Sequence, residues 1–201
     1  MIDHPDPQEK SYHHGDLRRA ILDTAEHRLM EGGIEAVTIR ACARDADVSP
    51  AAPIHHFGSR KGLLSALAAR GFEQLVARLD ADLATRTERG PSLLVGAYVA
   101  FAVTTPKMFD LMWREDVLHP DNPDLSRARR IALERLQSHV TTMEPCGDER
   151  IGATRAWSLA HGLATLLLHG RMQKALGAPG STLSTTQDFA ALAYTRGFSG
   201  P

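Results

Sequence analysis

An all-α fold is predicted for this chain, and three observations predict it. Apolar residues recur at helical spacing in one segment after another. No segment alternates at period two, so no sheet is expected. Gly, Pro and capping Ser or Thr punctuate the helical stretches where helices start and stop. These marks divide the 201 residues into an N-terminal three-helix unit over residues 1–62 and a helical remainder over residues 63–201. No internal repeat is visible.

Residues 1–11 are polar and proline-containing and read as an N-terminal arm. Over residues 16–30, Leu17, Ile21, Ala25 and Leu29 recur every four residues with Leu22 beside them, an amphipathic helix. Gly32 and Gly33 stop it, and Ile34 and Val37 fold back onto the core. Thr38 is a good N-cap for a helix over residues 39–45, with Ile39, Cys42, Ala43 and Ala46 on its buried face. Ala46, Asp47 and Val48 form the turn. Ser49 is the expected cap of the next helix, with Pro50 at its first position, where a missing N–H costs nothing. Pro53 lies one turn further in, so this helix must start late or lose a hydrogen bond. Phe57 plugs its end, Gly58 turns the chain, and Ser59 caps the helix that follows. Two short helices joined by a tight turn, behind a third, form the layout of a helix-turn-helix reader of DNA.

A long helix is predicted over residues 60–87, with Leu63, Leu64, Leu67, Phe72, Leu75, Val76, Leu79 and Leu83 as its stripe. Gly90 and Pro91 break the chain and launch a nearly all-apolar, hence buried, helix through residue 105. Pro106 ends or kinks it, and a short helix rich in aromatics and methionine follows over 107–117. Residues 119–124, HPDNPD, read as a loop. Residues 125–143 read as a charged amphipathic helix. Residues 149–176 read as a long helix with Ile151, Trp157, Leu163 and Leu167 inward. A loop over 176–180 and a short helix over 185–196 close the chain.

The chain is 43% hydrophobic and 23% charged, an ordinary globular composition. Cys42 and Cys146 have neither a CxxC partner nor metal-like spacing with histidine. A reduced, cytoplasmic protein without a metal or other cofactor is expected. No apolar run follows a basic start, so no secretory signal is read, and the apolar runs at 93–103 and 156–168 are short for a bilayer. Net charge is −1. Residues 1–62 hold eight basic and ten acidic side chains, so there is no bulk basic patch for non-specific nucleic-acid binding. Arg40, Arg60 and Lys61 supply a local basic surface, and six of the ten histidines lie in the same region.

The segment from residue 12 to about residue 67 resembles the DNA-binding domain of the TetR family of one-component repressors. The matching pieces are YHHGDLRRAILDTAEHRLMEGGIEAVTI, then ADVSPAAPIHHF, then GSRKGLL. Downstream, RAWSLAHGLATLLL is similar to the tryptophan–histidine–glycine signature of one ligand-binding subfamily, through Trp157, His161 and Gly162, and TPKMFDLMW fits the same subfamily. The family commonly has Gly in the turn where this chain has Asp47, a residue that tolerates left-handed geometry. It commonly has Tyr as a phosphate donor in the recognition helix. Here Ile54 stands, which cannot donate and implies weaker anchoring.

The resemblance implies site residues. Arg40 would reach a guanine edge or a phosphate, and Thr38 a phosphate. Ser49, Pro50, Ala51, Ala52 and His55 would project from the recognition helix beside Ile54, the alanines and proline packing on thymine methyls and the set making no dense hydrogen-bond code. Specificity would then draw on DNA shape. His56, Arg60 and Lys61 would meet the backbone. Tyr98, Phe101, Phe109, Met112, Trp113, His119, Trp157 and His161 would line a cavity for a small apolar effector. Gly152, Ala153, Ala156, Ala160 and Ala164 would let the last long helices approach a second copy.

The leading expectation is a homodimeric regulator, a repressor released from a palindromic operator by its effector, with no membrane partner. The alternative is a small-molecule binding dimer whose DNA binding has weakened, as Ile54 and the acidic N-terminal balance suggest. A hydrolase using His161 with Ser158 or Asp110 lacks a nucleophile elbow or oxyanion glycine pattern, so no catalytic residue is assigned.

Overall fold

The structure, a computed structural model, describes residues 7–85, 91–143 and 149–171, with side chains placed for 17–85, 93–139 and 151–171. Among these residues there is no strand. The elements are α1 (Pro7–Gly32), a single 3-10 turn (Ile34–Ala36), α2 (Ile39–Asp45), α3 (Ala51–Phe57), α4 (Arg60–Thr85), α5 (Pro91–Thr104), α6 (Pro106–Met112), α7 (Pro123–Met143) and α8 (Glu149–Leu168). The all-α prediction holds. The predicted loop at 176–180 and closing helix at 185–196 lie outside the described residues.

In the N-terminal unit, α1 begins at Pro7, so residues 7–11 are helical rather than part of an arm. Proline is favoured at the first helical position, where it gives up no hydrogen bond. Ile21, Ala25 and Leu29 are fully buried, as their spacing predicts. Gly33 stops the helix at φ 75°. Thr38 caps α2, its Oγ1 accepting from the Ala41 amide at 3.2 Å. Asp47 takes the left-handed position at φ 53°, the conformation the turn requires. The turn closes as the Val48 amide donates to the Ala43 carbonyl at 2.9 Å.

Helix α3 corrects one expectation. Its cap is Pro50, and the Ser49 side chain makes no capping bond. The late start puts Pro53 at the third helical position, where its absent N–H is one of the orphan donors anyway. Seven residues cannot hold a helix alone. Packing holds α3: Pro53 is buried, and Phe57 seats against the core beneath the Arg18 guanidinium, 5.2 Å above its ring.

Helix α4 belongs to both halves of the molecule. Leu63, Leu64 and Leu67 are fully buried near its start, and Leu75, Leu79 and Leu83 are buried further along. The joint that launches it is well tied. Ser59 Oγ accepts from the Gly62 amide at 3.1 Å. Buried Ser65 donates to the Lys61 carbonyl at 2.8 Å and accepts from the His119 amide at 2.8 Å. That second bond pins the loop after α6 to α4.

The remaining helices wrap α4. The apolar helix α5 is buried from Leu94 to Ala102, as predicted. Thr105 is the N-cap residue of α6, with Pro106 in its first turn. Helix α6 stops at Met112, short of the expected residue 117, and α7 starts at Pro123, inside the expected loop. Proline at a first helical position extends α7 backwards, and Asn122 caps it, its Oδ1 accepting from the Leu125 amide at 3.0 Å. Helix α8 ends at Leu168, with Gly170 at φ 62° just beyond, and residues 172–176 of the predicted helix lie outside the described residues. Its inward face is only partly the predicted one. Ile151 is 58% exposed and Trp157 39% exposed. Leu163 is buried and Leu167 packs against the core, as predicted, and Ala153, Ala156, Ala160 and Ala164 complete the buried face, because small side chains let α8 lie close against α5 and α7. The small-residue stripe therefore serves packing within the protomer.

Three ionic straps tie the elements together. Arg28 on α1 grips Asp45 on α2 in a two-pronged bond, at 2.6 and 3.0 Å. Arg70 on α4 bridges Asp23 at 2.6 Å and Glu26 at 3.0 Å on α1. Arg18 on α1 meets Asp124 on α7 at 2.6 Å. Lys107 on α6 adds a fourth tie, donating to the carbonyls of Met30 at 2.9 Å and Glu31 at 2.7 Å. A cation there also complements the negative end of the helix dipole.

The Arg28 bond holds the Asp45 carboxyl below its ordinary pKa. A group with a depressed folded pKa contributes stability above its unfolded pKa, near 4, and loses it as pH falls through the folded value. The difference in urea midpoint between the wild type and Asp45→Asn should therefore be constant from about pH 7 to pH 5 and should shrink below about pH 4. An unchanged difference at acid pH would show that the strap contributes nothing through its charge.

Candidate nucleic-acid interface and ligand cavity

The two predicted sites occupy opposite regions of the molecule, and α4 reaches both. The N-terminal site is built on α2, α3 and the first turn of α4. Arg40 stands exposed on the first turn of α2, next to the cap residue Thr38, which is also exposed. Ser49, Pro50, Ala51, Ile54 and His55 form the outward face of the turn and α3, with Ala52 and His56 half-buried beside them. Ile54 is 53% exposed. An apolar side chain held in water at the centre of this face is a cost the fold does not require. His55 and His56 stack edge to face at 5.4 Å. Lys61 is exposed at the start of α4.

Arg60 sits differently from the others. Its Nε donates to the Val37 carbonyl at 2.8 Å and its Nη2 to the Ile34 carbonyl at 2.7 Å. The same Nη2 lies 3.3 Å from Glu35. The side chain sequence reasoning assigned to a phosphate thus fastens the α4 launch to the 3-10 turn. The run GSRKGLL gives no sign of this, because the acceptors are backbone carbonyls some twenty residues upstream.

The C-terminal site is an apolar cavity of about 230 Å3 between α4, α5, α7 and α8. Phe72, Leu75 and Leu79 of α4, Leu94, Val95 and Tyr98 of α5, and Ala156, Trp157 and Ala160 of α8 line it. Arg129, Ala132, Leu133 and Leu136 of α7 and Trp113 after α6 complete the wall. Of the predicted set, Tyr98, Trp113 and Trp157 reach this cavity. Phe101 and Met112 do not line it and are core residues. His119 is exposed on the loop that Ser65 holds. Phe109 and His161, together with Trp113, line a second, more open cleft of about 400 Å3, between α6, α8 and the turn at Gly33 and Ile34. Sequence reasoning missed the α7 wall, whose residues read as an ordinary amphipathic stripe, and the α4 contribution, which read as core.

An aromatic cluster divides the two hollows. His161 lies 4.8 Å from Trp113 and 5.5 Å from Phe109 between ring centroids. Trp113 is 5.8 Å from Trp157. The Tyr98 hydroxyl and His161 Nδ1 share a hydrogen bond of 3.0 Å, the hydroxyl donating when that nitrogen is bare. Burial lowers the His161 pKa and raises that of Tyr98, a rise the nearby indole N–H groups oppose. Both groups are therefore neutral at pH 7. The hydrogen bond His161 makes is to Tyr98, so the geometry gives it a packing and orienting place rather than that of a general base.

An exposed helix-turn-helix face joined through one helix to a helical domain with an apolar cavity is the architecture of a DNA-binding transcriptional regulator. Comparison with known proteins carries this to a family. Residues 21–67 match the family described as bacterial regulatory proteins, tetR family, and residues 92–185 match the tetracyclin repressor-like C-terminal domain. The HTH-type transcriptional regulator BetI of Brucella suis biovar 1 (strain 1330) is 25% identical over 185 residues, covering 87% of this chain and 90% of that protein. A protein of unknown function from Rhodococcus sp. RHA1 is 30% identical, with a TM-score of 0.76 over 94% of this chain and 98% of that one. A TetR-family transcriptional regulator from Pectobacterium atrosepticum shares the fold at 20% identity, with a TM-score of 0.69 over 93% of this chain and 94% of that one. The chain belongs to the TetR family of transcriptional regulators. No helix among the described residues is long and apolar enough to cross a membrane.

Proposed function

We propose that this protein is a cytoplasmic repressor that binds a palindromic operator as a homodimer and is released by a small, largely apolar effector held in the 230 Å3 cavity. One observation carries the reading. Helix α4 begins against α3, on the exposed face, and its middle supplies Phe72, Leu75 and Leu79 to the cavity wall. A ligand that displaced α4 would move the recognition helix with it. We place the division between the two domains near residue 62, inside the first turn of this shared helix.

In this reading α3 enters the major groove, with Thr38, Arg40, His56 and Lys61 meeting the DNA around it and Ala51, Ala52 and Ile54 packing on thymine methyls. The half-sites lie about one helical turn apart or slightly more. Moving the equilibrium fully from bound to released takes about 5 kcal/mol of differential ligand affinity. The dimer contact falls on the outer face of α8, where Ile151 and Leu166 are exposed. The positions of Trp157, His161 and Gly162 support membership of the tryptophan–histidine–glycine subfamily.

Titration of the DNA upstream of its own gene tests the proposal. Arg40→Ala should weaken binding roughly tenfold or more, the range of a lost guanine contact, with the melting temperature unchanged. A wild-type protein that ignores this DNA at low salt would falsify the operator reading. The exposed Ile54 favours a second reading, a ligand-binding dimer with decayed DNA affinity, and equal weak binding by wild type and Arg40→Ala would support it.

A further inference from the structure

The cavity between α4, α5, α7 and α8 is not uniformly apolar. Two buried hydrogen-bond donors in residues of its wall, Trp113 Nε1 and Arg129 Nε, make no well-formed hydrogen bond among the described residues, although the Tyr98 hydroxyl lies close enough to the Trp113 indole to feel its N–H. Both residues flank Phe72. The Trp113 ring stands edge-on to it, with centroids 5.4 Å apart, and the Arg129 guanidinium carbon lies 5.8 Å from its centroid. A buried donor without an acceptor has lost its water for nothing in return, and folds keep such atoms only for a reason. A water molecule held by both donors would sit near the lower end of the usual range of about two to four polar contacts, because apart from Tyr98 the wall around Phe72 continues as Leu75, Leu79 and Leu94.

The charge balance narrows the partner further. Arg129 already pairs with Glu115 through Nη2 at 2.5 Å. What it offers the cavity is therefore a donor rather than an uncompensated positive charge. An anion would shed its water into an apolar space whose one lining cation, among the described residues, is already paired. A neutral oxygen sheds far less. Size bears on the question too. An apolar cavity of about 150 Å3 holds benzene, so about 230 Å3 suits a molecule of two fused rings.

We propose that the effector is a neutral, largely apolar molecule of bicyclic size with one carbonyl-type oxygen, which accepts from Trp113 Nε1 and Arg129 Nε beside Phe72. This rests on the cavity being the effector site, as proposed above, and supplies the chemical class that reading lacks.

Calorimetric titration of the full chain with three molecules of one shape separates the possibilities. 1-Tetralone carries the oxygen, tetralin lacks it, and 1,2,3,4-tetrahydro-1-naphthoate replaces it with a carboxylate. Tetralone should bind about tenfold tighter than tetralin, and the carboxylate no tighter than tetralin. Arg129→Met should cut the preference for tetralone to within about threefold while leaving tetralin affinity in place, and Trp113→Phe should do the same in a second background. Equal binding of tetralone and tetralin overturns the oxygen while leaving the cavity reading intact. Tightest binding by the carboxylate overturns the neutral class. A preference that survives both substitutions overturns the assignment to these two donors. Binding by none of the three overturns the cavity reading, and this inference with it.

Discussion

Replacing Gly62 with alanine will lower the melting temperature by roughly 6–12 °C and remove operator binding. A Cβ built on Gly62 would sit 1.9 Å from the Phe57 carbonyl oxygen and 3.0 Å from its carbonyl carbon. That oxygen belongs to the last residue of α3 and accepts from the Ser59 amide at 2.8 Å. It cannot swing aside as a side chain would, so the start of α4 and the end of α3 must separate. Overpacking of this kind costs about 3 kcal/mol. Gly71→Ala is the internal control. Its Cβ meets only the flexible side chains of Met108 and Met112, at 2.9 Å, and the melting temperature should fall much less. Circular dichroism melts and operator titrations of the two variants check the pair. A Gly62→Ala protein that melts within about 2 °C of wild type would show that the joint can relax.

The second large effect belongs to Arg60. Removing its guanidinium strips a charged donor from the carbonyls of Ile34 and Val37, each such bond contributing about 1.5–3 kcal/mol. Arg60→Ala should lower the melting temperature by roughly 6–12 °C, taking the lower end for each bond. The slope of log affinity against log salt should stay as in wild type, because no phosphate contact has been removed. Lys61→Ala, one residue away and exposed, should show the reverse: an unchanged melting temperature and a salt slope reduced by about one. An Arg60→Ala protein with normal stability and a reduced slope would restore Arg60 to the phosphate role its sequence context suggests.

This contrast shows where sequence reasoning works on this chain. Local chemistry was legible. Thr38 caps α2, Asp47 takes the left-handed turn, Ser59 caps α4, and Pro53 delays α3. Each depends on neighbours within a turn of chain. What could not be read depends on partners far away in sequence. Arg60 finds carbonyls 23 and 26 residues back. The ligand cavity draws on four helices, so Leu133 and Leu136 look like any amphipathic stripe until α8 lies opposite them. The same blindness misassigned the small residues of α8. A row of alanines permits close approach but does not say to which helix, and here α5 and α7 take the place expected of a second copy. The candidate interface was more legible than the cavity because one continuous stretch of chain builds it.

Helix α1 is gripped at its middle and near its C-terminal end by the C-terminal half. Arg18 is held by Asp124 of α7, and the carbonyls of Met30 and Glu31 by Lys107 of α6. The two grips are about 18 Å apart along the helix. A rod clamped at two separated points cannot be tilted by a push at one of them unless the other gives way. It can roll about its own length. Torque applied by α6 and α7 would then reach the DNA face as a twist, altering the direction in which each recognition helix points more than its distance from the core.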